Sequence, residues 1–132
     1  MFFSIDPSNG LAIYDQIVRQ VTFAIATEGL ATGELVPSVR ELAKRLAVNP
    51  NTVARAYREL QNEGILHAVR GTGLEVAPQA VKICRQSRAK LIRDRLAAVL
   101  LEALQSGLDK QEIRSLLEDV LKKLEPKAEH AS

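Results

Sequence analysis

The chain has 132 residues, a formal net charge of only +2, 46% hydrophobic residues and one cysteine. That length accommodates one compact domain with an appendage. A single cysteine excludes an intrachain disulfide, and neither histidine lies in a cluster with metal-ligand spacing, so we expect no metal and no cofactor. No apolar run approaches the roughly 20 residues that cross a membrane, and the N-terminus does not resemble a signal peptide, so we expect a cytoplasmic protein without a membrane partner.

The first predicted element is a helix over residues 11–30. Its apolar residues recur at helical spacing, which predicts one inward-facing stripe. The stripe comprises Ile13, Ile17, Val21, Ala24 and Ile25.

Residues 37–66 contain two short helix signals separated by a turn, which is the pattern of a helix-turn-helix. The first helix begins with Ser38, and Glu41 follows at the spacing of a capping box. The apolar stripe of this helix is Val39, Leu42, Ala43 and Leu46.

The second helix of this pair begins with Asn49 as its N-cap and Pro50 at the first helical position, and Gly64 ends it. Its apolar face is formed by Val53, Ala56, Tyr57 and Leu60, and the opposite face carries Asn51, Arg55 and Arg58. Reading the major groove requires long donors such as arginine and asparagine on a rigid helix. We therefore interpret this helix as a recognition helix, with an ordinary solvated face as the alternative.

Residues 65–76 predict two short strands around the tight turn Arg70-Gly71-Thr72-Gly73. A hairpin directly after a recognition helix is the wing of a winged helix-turn-helix. Arginine at a glycine-flanked tip can enter or straddle the minor groove, whose negative potential attracts it. The alternative is a plain surface hairpin.

Residues 11–77 resemble the DNA-binding domain of the GntR family of bacterial transcription regulators. The first helix, PSVRELAKRL, NTVARAYRELQNEGIL and the RGTG wing follow the order and spacing of that family. The resemblance implies a winged helix-turn-helix domain over residues 1–78, mainly α with a small β-hairpin.

By position, the resemblance implies that DNA is contacted by the PSVRE segment, the start of the recognition helix and the wing. Asn49-Pro50 and Ala54 depart from residues common in the family, so the operator sequence of relatives is not assigned to this chain. Many relatives also have glycine in place of Ala47, in the turn between the two helices, where a left-handed backbone would suit glycine better. The residues expected to bind DNA are Ser38, Arg40, Lys44, Asn49, Asn51, Thr52, Arg55, Arg58, Arg70, Gly71, Thr72 and Gly73.

Residues 79–132 are predicted to form a helical hairpin. One helix covers residues 80–105, and Asp109 with Glu112 signals the start of a second, which we expect to end at Pro126 before a disordered end from Lys127 to Ser132. Both helices carry an apolar face. The interaction residues are Ile92, Leu96, Val99, Ala103, Leu104, Ile113, Leu116, Leu117, Val120, Leu121 and Leu124.

This tail resembles that of the YtrA subfamily of GntR regulators, in which such helices mediate dimerisation. The resemblance implies a homodimeric repressor that acts on neighbouring transport genes. Two-fold symmetry of such a dimer predicts an inverted-repeat operator. A small-molecule effector of unknown identity is a further hypothesis. The alternative for the tail is that it folds back on its own winged domain.

The charge is unevenly distributed. From Arg40 to Arg70 there are six basic residues and three acids, although residues 1–78 hold seven basic residues against eight acids. For the binding of DNA, the local electrostatic field matters more than the net charge of the domain. At the start of the long helix, a further basic stretch is interpreted as a solvated face in preference to a contact with flanking DNA or an anionic small ligand. It comprises Lys82, Arg85, Arg88, Lys90, Arg93 and Arg95.

Two other classes of function are alternatives to a dimeric DNA-binding regulator. In a winged module that binds another protein, Arg40, Asn51 and Arg55 would have no role as DNA contacts. A small enzyme would require a titratable constellation, which this sequence does not display. Cys84 beside apolar neighbours fits burial in a helix better than a redox sensor.

Overall fold

The structure is a computed structural model that describes residues 4–131, the last six of them by their backbone only. It divides into two compact units, between Lys90 and Leu91. The architecture is a winged helix-turn-helix followed by two helices, as predicted. In chain order the elements are α1 (Ile13–Ala26), α2 (Val39–Leu46), α3 (Pro50–Asn62), β1 (Leu66–Val69), β2 (Gly73–Val76), α4 (Ala80–Gln105) and α5 (Lys110–Ala131).

Helix α1 supplies the centre of the core in the first unit. Ile17, Val21 and Ile25 are fully buried, as the stripe predicted. The prediction was wrong for Ile13, which is 39% exposed because it begins the helix and lies one turn beyond the packed residues. Ala24 is only partly buried.

The segment before α1 is held by side-chain amides. Gln16 is 5% exposed; its Oε1 accepts from the Asp6 N–H at 2.9 Å, and its Nε2 donates to the carbonyl oxygens of Asp6 and Leu11, each at 3.0 Å. Gln20 pairs in the same manner with the main chain of Ser4. A primary amide can mimic a peptide group, so these bonds fix an otherwise irregular segment along α1.

The predicted helix caps of the helix-turn-helix are present. The Glu41 N–H donates to Ser38 Oγ at 3.1 Å and the Ser38 N–H to Glu41 Oε1 at 3.2 Å, while Asn49 Oδ1 accepts from the Asn51 N–H at 2.8 Å. Ala47 has φ 55° and ψ 45°, in the left-handed region. The turn between α2 and α3 therefore has the backbone that suits glycine, but it carries alanine.

The wing is a hairpin whose base is bound to a third segment. In register, Leu66 faces Val76 and Val69 faces Gly73. On the other edge of β2, the Val36 N–H donates to the Leu74 carbonyl oxygen and the Val76 N–H to the Glu34 carbonyl oxygen, each at 3.0 Å. Residues 33–36 are too short to give a strand pattern, so the sequence did not predict this pairing.

The first turns of α4 belong to the winged unit. Ala80 and Cys84 are fully buried in its core. The domain boundary predicted after residue 78 differs from that of the compact unit, which extends to Lys90 and includes Ala80 and Cys84.

The second unit contains the remainder of α4, a turn and α5. The turn is closed by Gly107, at φ 98°, and by a 3.2 Å bond from the Leu108 N–H to the Ala103 carbonyl oxygen. Asp109 and Glu112 form the expected cap, with bonds of 2.8 and 3.1 Å.

Helix α5 is longer than expected. It continues to Ala131, so the predicted end at Pro126 is wrong. Proline removes one main-chain donor and disfavours the preceding turn, but it does not forbid the helix to continue. Disorder of the end, expected for Lys127 to Ser132, stays a prediction, and Ser132 lies outside the described residues.

Candidate nucleic-acid interface

Helix α3 is fixed to the core along its apolar face. Val53, Ala56 and Leu60 are fully buried, and Tyr57 is 2% exposed. The Tyr57 hydroxyl donates to the carbonyl oxygen of Pro37 at 2.7 Å. Burial raises the pKa of Tyr57 well above its ordinary value, so the phenol remains a donor. Helix α3 is therefore a rigid support for the residues on its outer face.

The outer face of α3 carries the predicted readers. Asn51, Arg55 and Arg58 are exposed and lie on one face, while Thr52 is partly buried at its edge. These side chains offer amide and guanidinium donors, the groups that bind base edges and phosphates. The structure thus brings together the residues of α3 that the sequence nominated, and their role in binding stays a prediction.

Arg55 is held by an aromatic ring from another helix. Its guanidinium carbon lies 3.7 Å from the centroid of the Tyr14 ring, in the first turn of α1. Tyr14 is not among the residues predicted for the site. Its only signal was an aromatic residue at the start of α1, and nothing local indicated that it would meet a side chain 41 positions further along.

The caps of α2 and α3 determine which atoms remain for a ligand. The Ser38 oxygen and Asn49 Oδ1 already accept helix N–H groups, which leaves the Ser38 hydroxyl proton and the Asn49 Nδ2 group as donors. Arg40 and Lys44 are exposed one turn apart on α2. Donors at two helix starts suit an anion such as a phosphate.

The wing tip is fully accessible. Arg70, Gly71, Thr72 and Gly73 are all exposed, and the Thr72 N–H closes the turn with a 2.9 Å bond to the carbonyl oxygen of Val69. Gly71 and Gly73 have φ values of 77° and 131°, which L side chains rarely adopt. The glycines at the tip are therefore required by the backbone.

Other chemistry finds little support in the described residues. Among the described side chains, those of residues 4–125, there is no group of three or more that could hold a metal, and none of the described helices is long and apolar enough to cross a membrane. Burial raises the pKa of the Cys84 thiol to about 11, with a smaller contribution from Glu63. Cys84 is thus a protonated core residue.

Comparison with known proteins identifies the family. The model of the family described as "Bacterial regulatory proteins, gntR family" matches residues 13–76. The HTH-type transcriptional repressor YtrA of Bacillus subtilis (strain 168) is 31% identical over 116 residues, which cover 88% of this chain and 89% of that protein. The chain belongs to the GntR family.

Solved structures agree with this GntR assignment. The transcriptional antiterminator from Listeria monocytogenes EGD-e matches with a TM-score of 0.67 at 32% identity, over 91% of this chain and 90% of that one. YtrA from Sulfolobus acidocaldarius, a GntR-family transcription factor, matches with a TM-score of 0.55 at 30% identity, over 93% and 99%. The similarity extends beyond the winged domain, so this GntR protein is a YtrA-like DNA-binding transcription regulator.

Proposed function

We propose that this GntR regulator is a repressor that binds an inverted-repeat operator as a homodimer. The observation that carries the proposal is the rigid helix α3, anchored by Tyr57, with Arg55 and Asn51 together on its outer face. Its relative YtrA of Bacillus subtilis is named a transcriptional repressor, and occupation of a promoter would block transcription sterically.

The proposed DNA contacts divide into two kinds. Asn51, Arg55 and Arg58 on α3 are placed to read base edges in the major groove, and Arg70 at the wing tip to enter the minor groove. Phosphate contacts would set the register of the protein on the duplex without carrying sequence information. For these we propose Ser38, Arg40, Lys44, Asn49, Thr52, Gly71, Thr72 and Gly73.

Dimerisation is proposed from the apolar surface of the second unit. Ten large apolar side chains between residues 91 and 125 are 37–59% exposed, on both α4 and α5. Soluble proteins rarely leave a continuous surface of this kind uncovered, and a second copy related by two-fold symmetry would cover it. The exposed residues are Ile92, Leu96, Val99, Leu101, Leu104, Leu116, Leu117, Val120, Leu121 and Leu124.

Two of the predicted interaction residues differ from this set. Ile113 is 8% exposed and Ala103 partly buried, so both pack within their own chain, whereas Leu101 was not predicted. The segment from Leu96 to Leu104 is apolar on nearly every side of the helix, so some of its apolar side chains are exposed. The prediction considered one apolar stripe along this helix, and Leu101 lies outside that stripe.

A dimer would place two recognition helices on two inverted half-sites, about one helical turn apart or a multiple of it. We further propose a cytoplasmic regulator without catalytic activity, responsive to a small molecule of unknown identity and acting on neighbouring transport genes. Binding of one half-site would make binding of the second effectively intramolecular, which raises affinity without any new contact.

The test is selection of bound sequences from a random duplex pool by the purified full-length chain at physiological salt. We expect an enriched inverted repeat. Arg55→Ala should lower affinity for it by about tenfold or more, since a good arginine contact to a base contributes roughly 1–3 kcal/mol. Lys122→Ala, which removes a positive charge from an exposed position on α5, is the matched control.

The outcomes separate the proposed regulator from its alternative. Weak binding with the same salt dependence for all duplexes, and no difference between Arg55→Ala and Lys122→Ala, would contradict sequence-specific reading. It would instead favour a winged module that binds another protein.

A further inference from the structure

Tyr14 lies outside the helix-turn-helix, yet its ring stacks against Arg55, the central arginine of the recognition helix. The ring is partly buried against the core, and Arg55 lies over it at 3.7 Å from the centroid. The ring is thus fixed on the core side while the guanidinium occupies its outer side.

The interaction has a clear physical basis. The face of an aromatic ring is electron-rich and attracts a cation, and arginine is the cation that stacks best because its guanidinium is planar. The N–H donors of a stacked guanidinium point away along its edges, so the ring leaves them available. Stacking therefore holds Arg55 without using the donors that would bind a base.

Within the described residues, no ion pair competes for Arg55. The acids of α3 and its cap are Glu59 and Glu63, and neither forms an ion pair with Arg55. A groove of about 240 Å³ borders the stack and is lined by Tyr14, Arg55, Arg58, Glu59 and Asn62. The guanidinium thus faces open space beside the aromatic ring.

An exposed arginine ordinarily loses much side-chain freedom when it binds a ligand. We propose that Tyr14 is a positioning residue for DNA reading: its ring orients Arg55 before binding, so the base preference at the position read by Arg55 depends on an aromatic ring at residue 14. This inference rests on the proposed function, and it assigns to α1 a part in sequence recognition.

The test is a double-mutant cycle on the duplex selected by the unaltered chain. The affinity of the unaltered chain for this duplex is compared with that of four variants: Tyr14→Phe, Tyr14→Leu, Arg55→Ala and the double variant Tyr14→Leu/Arg55→Ala. Tyr14→Phe keeps the ring and should bind within about twofold of the original. Tyr14→Leu keeps apolar bulk but has no π face, and it should weaken binding by about fivefold.

Two readouts separate positioning from general damage to the fold. In the Arg55→Ala background, the Tyr14→Leu change should have no further effect on affinity. On duplexes altered at one base pair at a time, Tyr14→Leu should relax the preference at the same positions as Arg55→Ala and at no others. Circular dichroism and thermal unfolding verify that each variant is folded.

Several results would overturn the inference. Equal losses from Tyr14→Leu with and without Arg55 would show that the ring acts independently of it, and a uniform loss over all base positions would indicate a structural role. If Arg55→Ala relaxes specificity but Tyr14→Leu does not, positioning fails while the proposed function stands. If the unaltered chain selects no sequence, both fail.

Discussion

The hydroxyl of Tyr57 donates a 2.7 Å hydrogen bond to the carbonyl oxygen of Pro37, the residue before the N-cap of α2. This bond joins the middle of the recognition helix to the start of the preceding helix, across 20 residues of chain. The angle between the two helices of the motif is thus fixed by a polar contact as well as by apolar packing.

Tyr57→Phe should lower the free energy of unfolding by about 1–2 kcal/mol, because the carbonyl of Pro37 would lose its partner in a partly buried site. Urea unfolding followed by circular dichroism measures the change. Tyr14→Phe is the matched control, since no hydrogen bond of its hydroxyl is recorded among the described residues. Equal effects of the two substitutions would contradict the assigned role of the bond.

The same tyrosine should make stability depend on alkaline pH. Its pKa in the folded chain is raised above the ordinary value of 10.0 by burial, so the folded state retains the proton more strongly than the unfolded state. This contribution is complete below pH 10 and is lost as the pH rises above it. Tyr57→Phe should therefore lose less stability above pH 10, while Cys84, whose pKa is raised to about 11, affects both proteins equally.

Ala47→Gly should stabilise the chain by up to about 1 kcal/mol. Ala47 has φ 55°, a strained conformation for a residue with a Cβ, and glycine would relieve that strain at some cost in the entropy of the unfolded chain. Ala89→Gly, at an exposed position inside α4, is the control and should destabilise by about 1 kcal/mol. Destabilisation by both substitutions would show that the turn carries no strain.

Arg85→Met should destabilise the winged unit by about 1 kcal/mol. Its Nε donates to the carbonyl oxygen of Ala26 at the end of α1 at 3.1 Å, and its Nη2 lies 3.7 Å from a carboxylate oxygen of Glu28. A cation near a helix C-terminus is favourable. Lys82→Met, at an exposed position without a recorded partner in the described chain, should be close to neutral in thermal unfolding.

Leu121→Glu should convert the protein from a dimer to a monomer in sedimentation velocity. Leu121 is 59% exposed within its own chain, and a carboxylate there would lie in the proposed dimer interface. Ser115→Glu, on another exposed face of α5, should remain dimeric. A monomeric parent protein would contradict the proposal before either variant is made.

Loss of the dimer should also change DNA binding. The unaltered chain should bind a duplex with two half-sites far more tightly than one with a single half-site, and Leu121→Glu should bind both with similar affinity. Electrophoretic mobility shift with the two duplexes measures this difference. A Leu121→Glu protein that is monomeric yet retains the preference would separate dimerisation from operator recognition.

Local sequence signals predicted the caps and faces of the helices well. Ser38 with Glu41, Asn49 with Asn51, and Asp109 with Glu112 form hydrogen bonds within a few residues, so spacing alone identifies them. The buried faces of α2 and α3 followed from helical periodicity for the same reason.

Contacts between distant residues were not predictable in this way. The stack of Arg55 on Tyr14 depends on how α1 crosses α3, and the bond of Arg85 to Ala26 depends on where α4 begins. The basic stretch at the start of α4 is predicted to be a solvated face, and this prediction omits the contacts of Arg85 with Ala26 and Glu28. Helical periodicity predicts which face of a helix is buried, but not which element packs against that face.

The pairing of residues 33–36 with β2 connects the wing to the recognition helix. Only residues 70–72 of the wing lie between the two paired strands, and the base of the wing is bonded through Val36 to the segment that contains Pro37. Pro37 in turn accepts the bond from Tyr57 in α3. If the wing enters the minor groove as proposed, a groove that displaces the wing would also tilt α3 in the neighbouring major groove. Groove width and base sequence would then be sensed through one connected body.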